Sequence, residues 1–375
     1  MNRDPNKAYI TVNGQDYTDW TEVRITRSIE AACSDFDFRA TANRDPEKYL
    51  NPIGIRTGAA AVVWIGDDKV ITGRVEKIGV HGSPEGRDIS IAGRSKTRNI
   101  VDCCVINSPP KWNGQKMSAI IEEMCNSYNV EVRLSGADYT LSRFRVDSDS
   151  KVIEAIERLT RLQGFVFTDD PEGGLIITQA GTGYSLTALE TGVNIIDATI
   201  ESNIAERFSE YICKGQMAGD DMTYGADAAE GIGTAADEGL DDDDWRVLIL
   251  KPESKTSAAI CKKRAEWEAA TRLGKSLSVD ITVHGWRQQN GALWEPNIST
   301  VVRAPEYGLT EMELLIVSTE FSVGPEGTLT RMKLALADAY RPQPLTRAQL
   351  IKIGMLPDGK AKGAKGPRAS LFGAN

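Results

Sequence analysis

Ala59-Ala60-Ala61-Val62-Val63-Trp64-Ile65, then Gly66-Asp67-Asp68, then Lys69-Val70-Ile71-Thr72-Gly73-Arg74-Val75-Glu76-Lys77-Ile78: this stretch decides how the first hundred residues are read. An apolar run that stops at a Gly-Asp-Asp turn and resumes as a second β-rich run predicts two strands joined by a turn. Working outward, Ala8–Val12 and the segment from Tyr17 flank Asn13-Gly14, a strong two-residue hairpin signal. Trp20–Ile29 places Val23, Ile25 and, after Arg27, Ile29 on one face. Arg87–Ala92 follows a Gly82–Gly86 loop and alternates Ile89 with Ile91. Short, turn-punctuated strands without a long helix predict a small sandwich or barrel. The run Ala59–Ile65 is the longest purely apolar one, far short of the ~20 residues needed to span a bilayer.

Past residue 100 the period changes. Met117, Ile120, Ile121, Met124, Cys125 and Tyr128 follow helical spacing. Val130–Leu134 reads as a short strand. Ser150 is a candidate N-cap for a second helix carrying Ile153, Ile156, Leu159 and Thr160, ended by Gly164. Phe165–Thr168, the turn Asp169–Gly174 and Leu175–Gln179 predict a hairpin. Strands resume at Asn194–Ile200 and Phe208–Gln216. A helix over ~256–273 follows, and strands return at Ser276–Gly285, Ile298–Arg303, Glu313–Val323 and Thr328–Leu336. The expected division is a first β domain over 1–100, an α/β domain over 101–185 with 245–275 as a candidate addition, and a second β domain from 186–218 and 276–340.

With 375 residues and 41% hydrophobic side chains, the chain has material for two or three packed domains. Its net charge of −9 comes from one place. Residues 219–244 hold ten acidic side chains and no Lys or Arg; setting those aside leaves 43 acidic against 44 basic residues. A global electrostatic argument for or against nucleic acid therefore fails. Self-repulsion and few large apolar groups predict a mobile acidic loop over 219–244. Residues 341–375, with seven basic side chains, Asp358 and four prolines, predict a basic tail that is frayed or ordered by a partner. The first twenty residues lack an apolar h-region, so no signal peptide is expected and folding begins in a cytosol. The six cysteines fit that compartment as buried, reduced thiols.

Catalytic and metal-binding patterns are missing from the sequence. His81 and His284 stand alone, without metal spacing. Ala269–Ser276 nearly fits a phosphate loop, but a helix precedes Gly274 and a strand follows, the reverse of what phosphate binding needs. Gly274 reads instead as a helix C′ residue. Glu122/Glu123 and Glu154/Glu157 lie beside apolar stripes and read as solvated faces. The run Asp241–Asp244 lacks calcium-loop spacing. No catalytic residue, cofactor or metal ligand is assigned. What stands out is Trp286 to Asn297, where two tryptophans bracket Asn290-Gly291. Trp286, Trp294, Pro296 and Asn297 are the candidate interface residues, with core packing of the tryptophans as the alternative.

Five segments occur in order: Thr26–Glu30, Ala92–Thr97 running to Val101–Cys103, Arg207–Tyr211 with Lys214-Gly215, Trp286 through Gly291–Asn297, and Glu313–Ser318. Together they resemble the phage Mu-type baseplate hub family over roughly residues 9–340. The resemblance implies an α+β, mainly β fold: two small antiparallel β-barrel domains with an α/β domain between them, assembling into a trimeric ring. It implies a structural, non-enzymatic hub of a contractile phage tail or tailocin. Its expected partners are two further copies, the central spike, the tail tube and other baseplate proteins. DNA would pass transiently without sequence-specific binding, and direct membrane insertion is not expected. The expected location is the virion's tail baseplate, assembled in the host cytoplasm. The family is also similar to the hub part of type VI secretion spikes, and a tail-associated peptidoglycan hydrolase is the alternative function.

Overall fold

The computed structural model describes residues 3–42, 54–82, 87–107, 110–147, 149–161, 165–215, 231–237, 239–240, 245–251 and 258–340. The chain divides into two compact units, one from residues 1–200 and 278–340, the other centred on 201–277.

The first unit is built on a fourteen-stranded sheet. Its path runs Ile195–Ser202, Leu277–His284, Gly327–Ala335, Leu309–Gly324, Glu22–Ser28, Asp35–Ala42, Arg87–Ser95, Asp68–Gly82, Ala60–Ile65, Ala8–Val12 and Gln15–Tyr17. Ile298–Ala304 branches off Leu309–Gly324 and carries the short parallel strands Gly183–Tyr184 and Leu189–Glu190. Local chemistry sets the hairpins. Asn13 and Gly14 both take positive φ, 53° and 77°, and Val12 pairs with Gln15 across a two-residue turn. Gly66, at φ 59°, closes Ile65 onto Asp68. A Cβ there would fall 2.7 Å from the Pro5 Cα, so a larger residue would displace the N-terminal segment.

Two closed barrels are not what forms. The described sheets are open, one large and three small, with antiparallel and parallel pairings. The reason is Leu309–Gly324. Its first part pairs with Ile298–Ala304 and its later part with Gly327–Ala335. The edge used by Ile298–Ala304 goes on, past Val317, to bind Glu22–Ser28, with Phe321 opposite Ile25 and Glu320 opposite Thr26. Hydrogen bonds that would close one barrel onto itself instead join the two strand-rich regions into one sheet. The alternation of Glu22–Ser28 continues inward through Val23, Ile25 and Arg27, so a guanidinium occupies a core-facing position.

Between these strand regions lies the α/β part. Met117–Asn126 and Val152–Arg161 pack over a three-stranded sheet in which Leu175–Gln179 is central, antiparallel to Phe165–Asp169 and parallel to Val132–Ser135. The helical stripe read from the sequence is the buried one: Met117, Ile120, Ile121, Met124 and Cys125. Together with Ile156, Leu159 and Ile177 they form one apolar core, each large side chain contributing about 1.5–3 kcal/mol. The second helix starts at Val152, one residue later than a Ser150 cap requires. Glu154 in its first turn accepts the Lys151 N–H at 3.1 Å, the returning half of a capping box.

In the second unit Glu210–Gly215 is central, antiparallel to Gly231–Ala236 and parallel to Val247–Leu250. The helix Ala258–Lys275 lays Cys261 and Ala265 against Tyr211 and Cys213. It belongs to this unit and not to the α/β part. Gly274 lies within its last turn rather than beyond its end. Gly231–Ala236 corrects part of the expected acidic loop. A Cβ on Gly233 would sit 2.0 Å from the Lys262 backbone nitrogen, so the glycine admits the helix. Residues 219–230, 241–244 and the tail 341–375 lie outside the described residues.

Candidate functional site: the interaction surfaces of the subunit

The four candidate interface residues all face inward. Trp286 and Trp294 are each 2% exposed, and Pro296 and Asn297 are buried. Trp286 meets Phe321 edge-on with ring centroids 6.4 Å apart, and its Nε1 donates to the Ser322 carbonyl at 3.2 Å. Backbone hydrogen bonding ties the two tryptophans together, Trp294 N to Trp286 O at 3.1 Å. Asn297 takes φ 69°, a conformation Asn tolerates well. Its Nδ2 donates to the Gln179 carbonyl at 3.1 Å and its Oδ1 accepts the Gly181 N–H at 2.8 Å. The segment fastens strands within its own chain.

A second fastening lies in the Asp169–Gly174 turn, which does more than reverse the chain. Asp169 is 1% exposed and accepts Ser34 Oγ at 2.6 Å and Ser34 N at 3.2 Å. Thr72 Oγ1 donates to the Pro171 carbonyl at 2.6 Å, and Lys69 pairs with Glu172 at 2.7 Å. The α/β part is thereby pinned to the large sheet. Beside it, Arg94 bridges Glu76 at 2.8 Å and Asp102 at 2.6 Å. Hydrogen bonds from Arg94 hold both carboxyls below their usual range, and the two acids raise the guanidinium in turn.

Surface that could take a partner lies elsewhere. Ile195–Ser202 and Gln15–Tyr17 end the path of the large sheet. Ile196, on the first of these edges, is 46% exposed and Val193, just ahead of it, 66%; Leu186, 83% exposed, and Tyr184, 55%, lie on the segment that runs beside Ile298–Ala304. Sequence reasoning missed this group because its apolar residues are scattered through turn-rich segments without a period. The only available signal was their spacing just ahead of an edge strand.

Among the described residues no group of three or more His, Cys, Asp and Glu could hold a metal ion. No described helix is long and apolar enough to cross a membrane. All six cysteines are free, but fewer are buried than expected. Cys125, Cys213 and Cys261 are buried, and burial pushes the Cys125 thiol up to about 12. Cys104 is exposed, its Sγ donating to the Asp149 carbonyl at 3.3 Å.

Comparison with known proteins follows the same joints. Residues 7–95 match the Mu phage baseplate assembly protein GpP-like N-terminal domain, ending with the strand Arg87–Ser95. Residues 97–179 match the second domain of baseplate hub protein gp44-like proteins, ending with Leu175–Gln179. Residues 257–343 match the fourth domain of Mu phage baseplate assembly protein GpP. These three matches fall in chain order and together span more than half of the sequence. The chain belongs to the phage Mu-type baseplate hub family.

The hub is 29% identical over 345 residues to baseplate hub protein gp44 of Escherichia phage Mu, covering 89% of each chain. Its fold matches the 43 kDa tail protein of prophage MuSo2 from Shewanella oneidensis at a TM-score of 0.79 and 29% identity, over 89% of this chain and 99% of that one. A tail protein from Neisseria meningitidis MC58 shares the fold at a TM-score of 0.77 and 19% identity, over 90% and 98% of the two chains. The hub's role is that of a structural baseplate component in a contractile-tail or secretion-spike-like assembly, and its place is the virion.

Proposed function

We propose that this hub forms a closed homotrimer that joins the tail tube to the central spike and leaves an axial route for DNA, and that it assembles in the bacterial cytoplasm. The observation that carries the reading is the apolar edge around Ile195–Ser202. An open strand edge with exposed Ile196 on it and exposed Val193 just ahead of it is a poor surface to leave in water. A rotationally symmetric ring of copies covers one such edge per subunit and closes without further growth. Three is the number implied by the resemblance to Mu-type hubs. Open strand edges at both ends of the large sheet suit an adaptor that meets different neighbours.

Light scattering and electron imaging of the full chain, alone and with its cognate spike, test this. The expected species is a ring of three times 40.9 kDa. A 40.9 kDa species alone at high concentration, with no ring in the presence of the spike, overturns it. Glu-dependent lysis of peptidoglycan by the purified protein would replace the structural reading with the hydrolase alternative.

A further inference from the structure

The α/β part carries a two-stranded antiparallel ribbon, Lys111–Lys116 paired with Thr140–Arg145. Its two faces differ completely. Trp112 stands opposite Phe144, and both are buried, with ring centroids 5.8 Å apart. On the other face Lys111 stands opposite Arg145, and Arg143 opposite Asn113. Lys111, Asn113, Gln115, Arg143 and Arg145 are all exposed. Directly opposed like charges destabilise a strand pair. Among the described residues neither Lys111, Arg143 nor Arg145 has an acidic partner. Asp147, next on this face of the strand, is exposed and forms no described ion pair with them.

We infer that this ribbon face binds the phosphodiester backbone of duplex DNA without reading its sequence. The face presents three cations and two amides against one carboxylate, Asp147, with half-buried Leu141 opposite Gln115; cations and amides are the groups that contact phosphate oxygens. It lacks an exposed aromatic anchor, the feature that concentrates energy at protein interfaces, because Trp112 and Phe144 are committed to the core. Spacing agrees. Arg143 and Arg145 are two residues apart on one strand, about 6.8 Å, and so stand on the same face, where each can reach a separate phosphate of one duplex. Lys111 lies across the ribbon from Arg145, so the three charges form a compact triangle. The inference deepens the reading of the hub as part of a DNA route and rests on it for its biological setting, although binding itself does not require the route.

Fluorescence anisotropy of the full chain with a labelled 20-base-pair duplex, from 50 to 200 mM salt, is the test. Three phosphate contacts give a log–log salt slope of about −2.7, an affinity loss of about 40-fold over that range. The triple variant Lys111→Gln, Arg143→Gln, Arg145→Gln is expected to lose this binding while keeping its melting temperature. The control variant Lys77→Gln, Lys251→Gln, Lys263→Gln, which removes the same charge from other exposed positions, is expected to bind like the parent. Equal loss in both variants, or no binding by the parent, overturns the inference. Selective binding of poly-glutamate in place of DNA overturns it in favour of an acidic protein partner. A hub that forms rings with its spike but lacks ribbon-dependent DNA binding defeats this inference alone. Ribbon-dependent binding by a permanent monomer defeats the trimer reading alone.

Discussion

Arg207 and Asp237 lock together inside the 201–277 unit through two hydrogen bonds, Nε to Oδ2 and Nη2 to Oδ1, each 2.8 Å. Their side chains are 7% and 3% exposed. Asp237 also accepts the Gly239 N–H at 3.0 Å, and its backbone N–H donates to the Ser209 carbonyl at 3.1 Å. One of the ten acids that would repel each other in the sequence is thus a buried anchor. It holds the end of Gly231–Ala236 against Glu210–Gly215.

Removing either partner strands a buried charge. Asp237→Ala is expected to destabilise this unit by about 3–5 kcal/mol, and the double change Arg207→Met with Asp237→Leu by much less. Urea unfolding followed by tryptophan fluorescence checks the pair. Equal losses in the single and double variants would show that the charges matter little.

Asp169→Ala removes the acceptor of both Ser34 hydrogen bonds. The expected cost is about 1–3 kcal/mol, with faster amide exchange in Phe165–Gln179 while Ala8–Val12 stays protected. Uniform acceleration across the first unit would mean that the turn does not act as a local clasp.

Trp294→Ala opens a cavity in the first unit. A loss of about 3–5 kcal/mol and a markedly lower melting temperature are expected, with normal assembly of the protein that remains folded. Near-normal melting combined with failed assembly would return Trp294 to an interface role.

Glu76 and Asp102 titrate below the ordinary carboxylate range, chiefly through their hydrogen bonds to Arg94. A folded pKa below the unfolded one means that the unfolded chain binds more protons as the pH falls through the carboxylate range. Their contribution is therefore full above that range and is lost on acidification through the lowered folded values. Because both groups are partly solvated, the effect is modest. Urea midpoints measured from pH 7 to pH 3 should fall less steeply for Arg94→Gln than for the parent. Identical slopes would remove the network from acid stability.

Legibility in the sequence followed the range of the interactions. The Asn13-Gly14 hairpin, the apolar stripe from Met117 to Cys125 and the Phe165–Gln179 hairpin were readable because their causes lie within a few residues: turn conformations that Asn and Gly accept, and a helical period. The pairing of Phe321 with Ile25 was not, since a strand's sequence encodes which face it buries but not which distant edge it joins. That single long-range pairing makes one open sheet where two closed barrels were expected. The same limit hid the inward Arg27, the Ser34–Asp169 clasp and the strand Gly231–Ala236. Each depends on a partner far away in sequence: a carbonyl, a carboxylate or a helix backbone that only the folded chain brings within reach. Tertiary structure also decided which large apolar residues face water. The paired tryptophans at 286 and 294 are buried in this chain, while the less conspicuous Tyr184, Leu186, Val193 and Ile196 are left exposed. Burial is a property of what packs over a residue, and composition alone does not specify that cover.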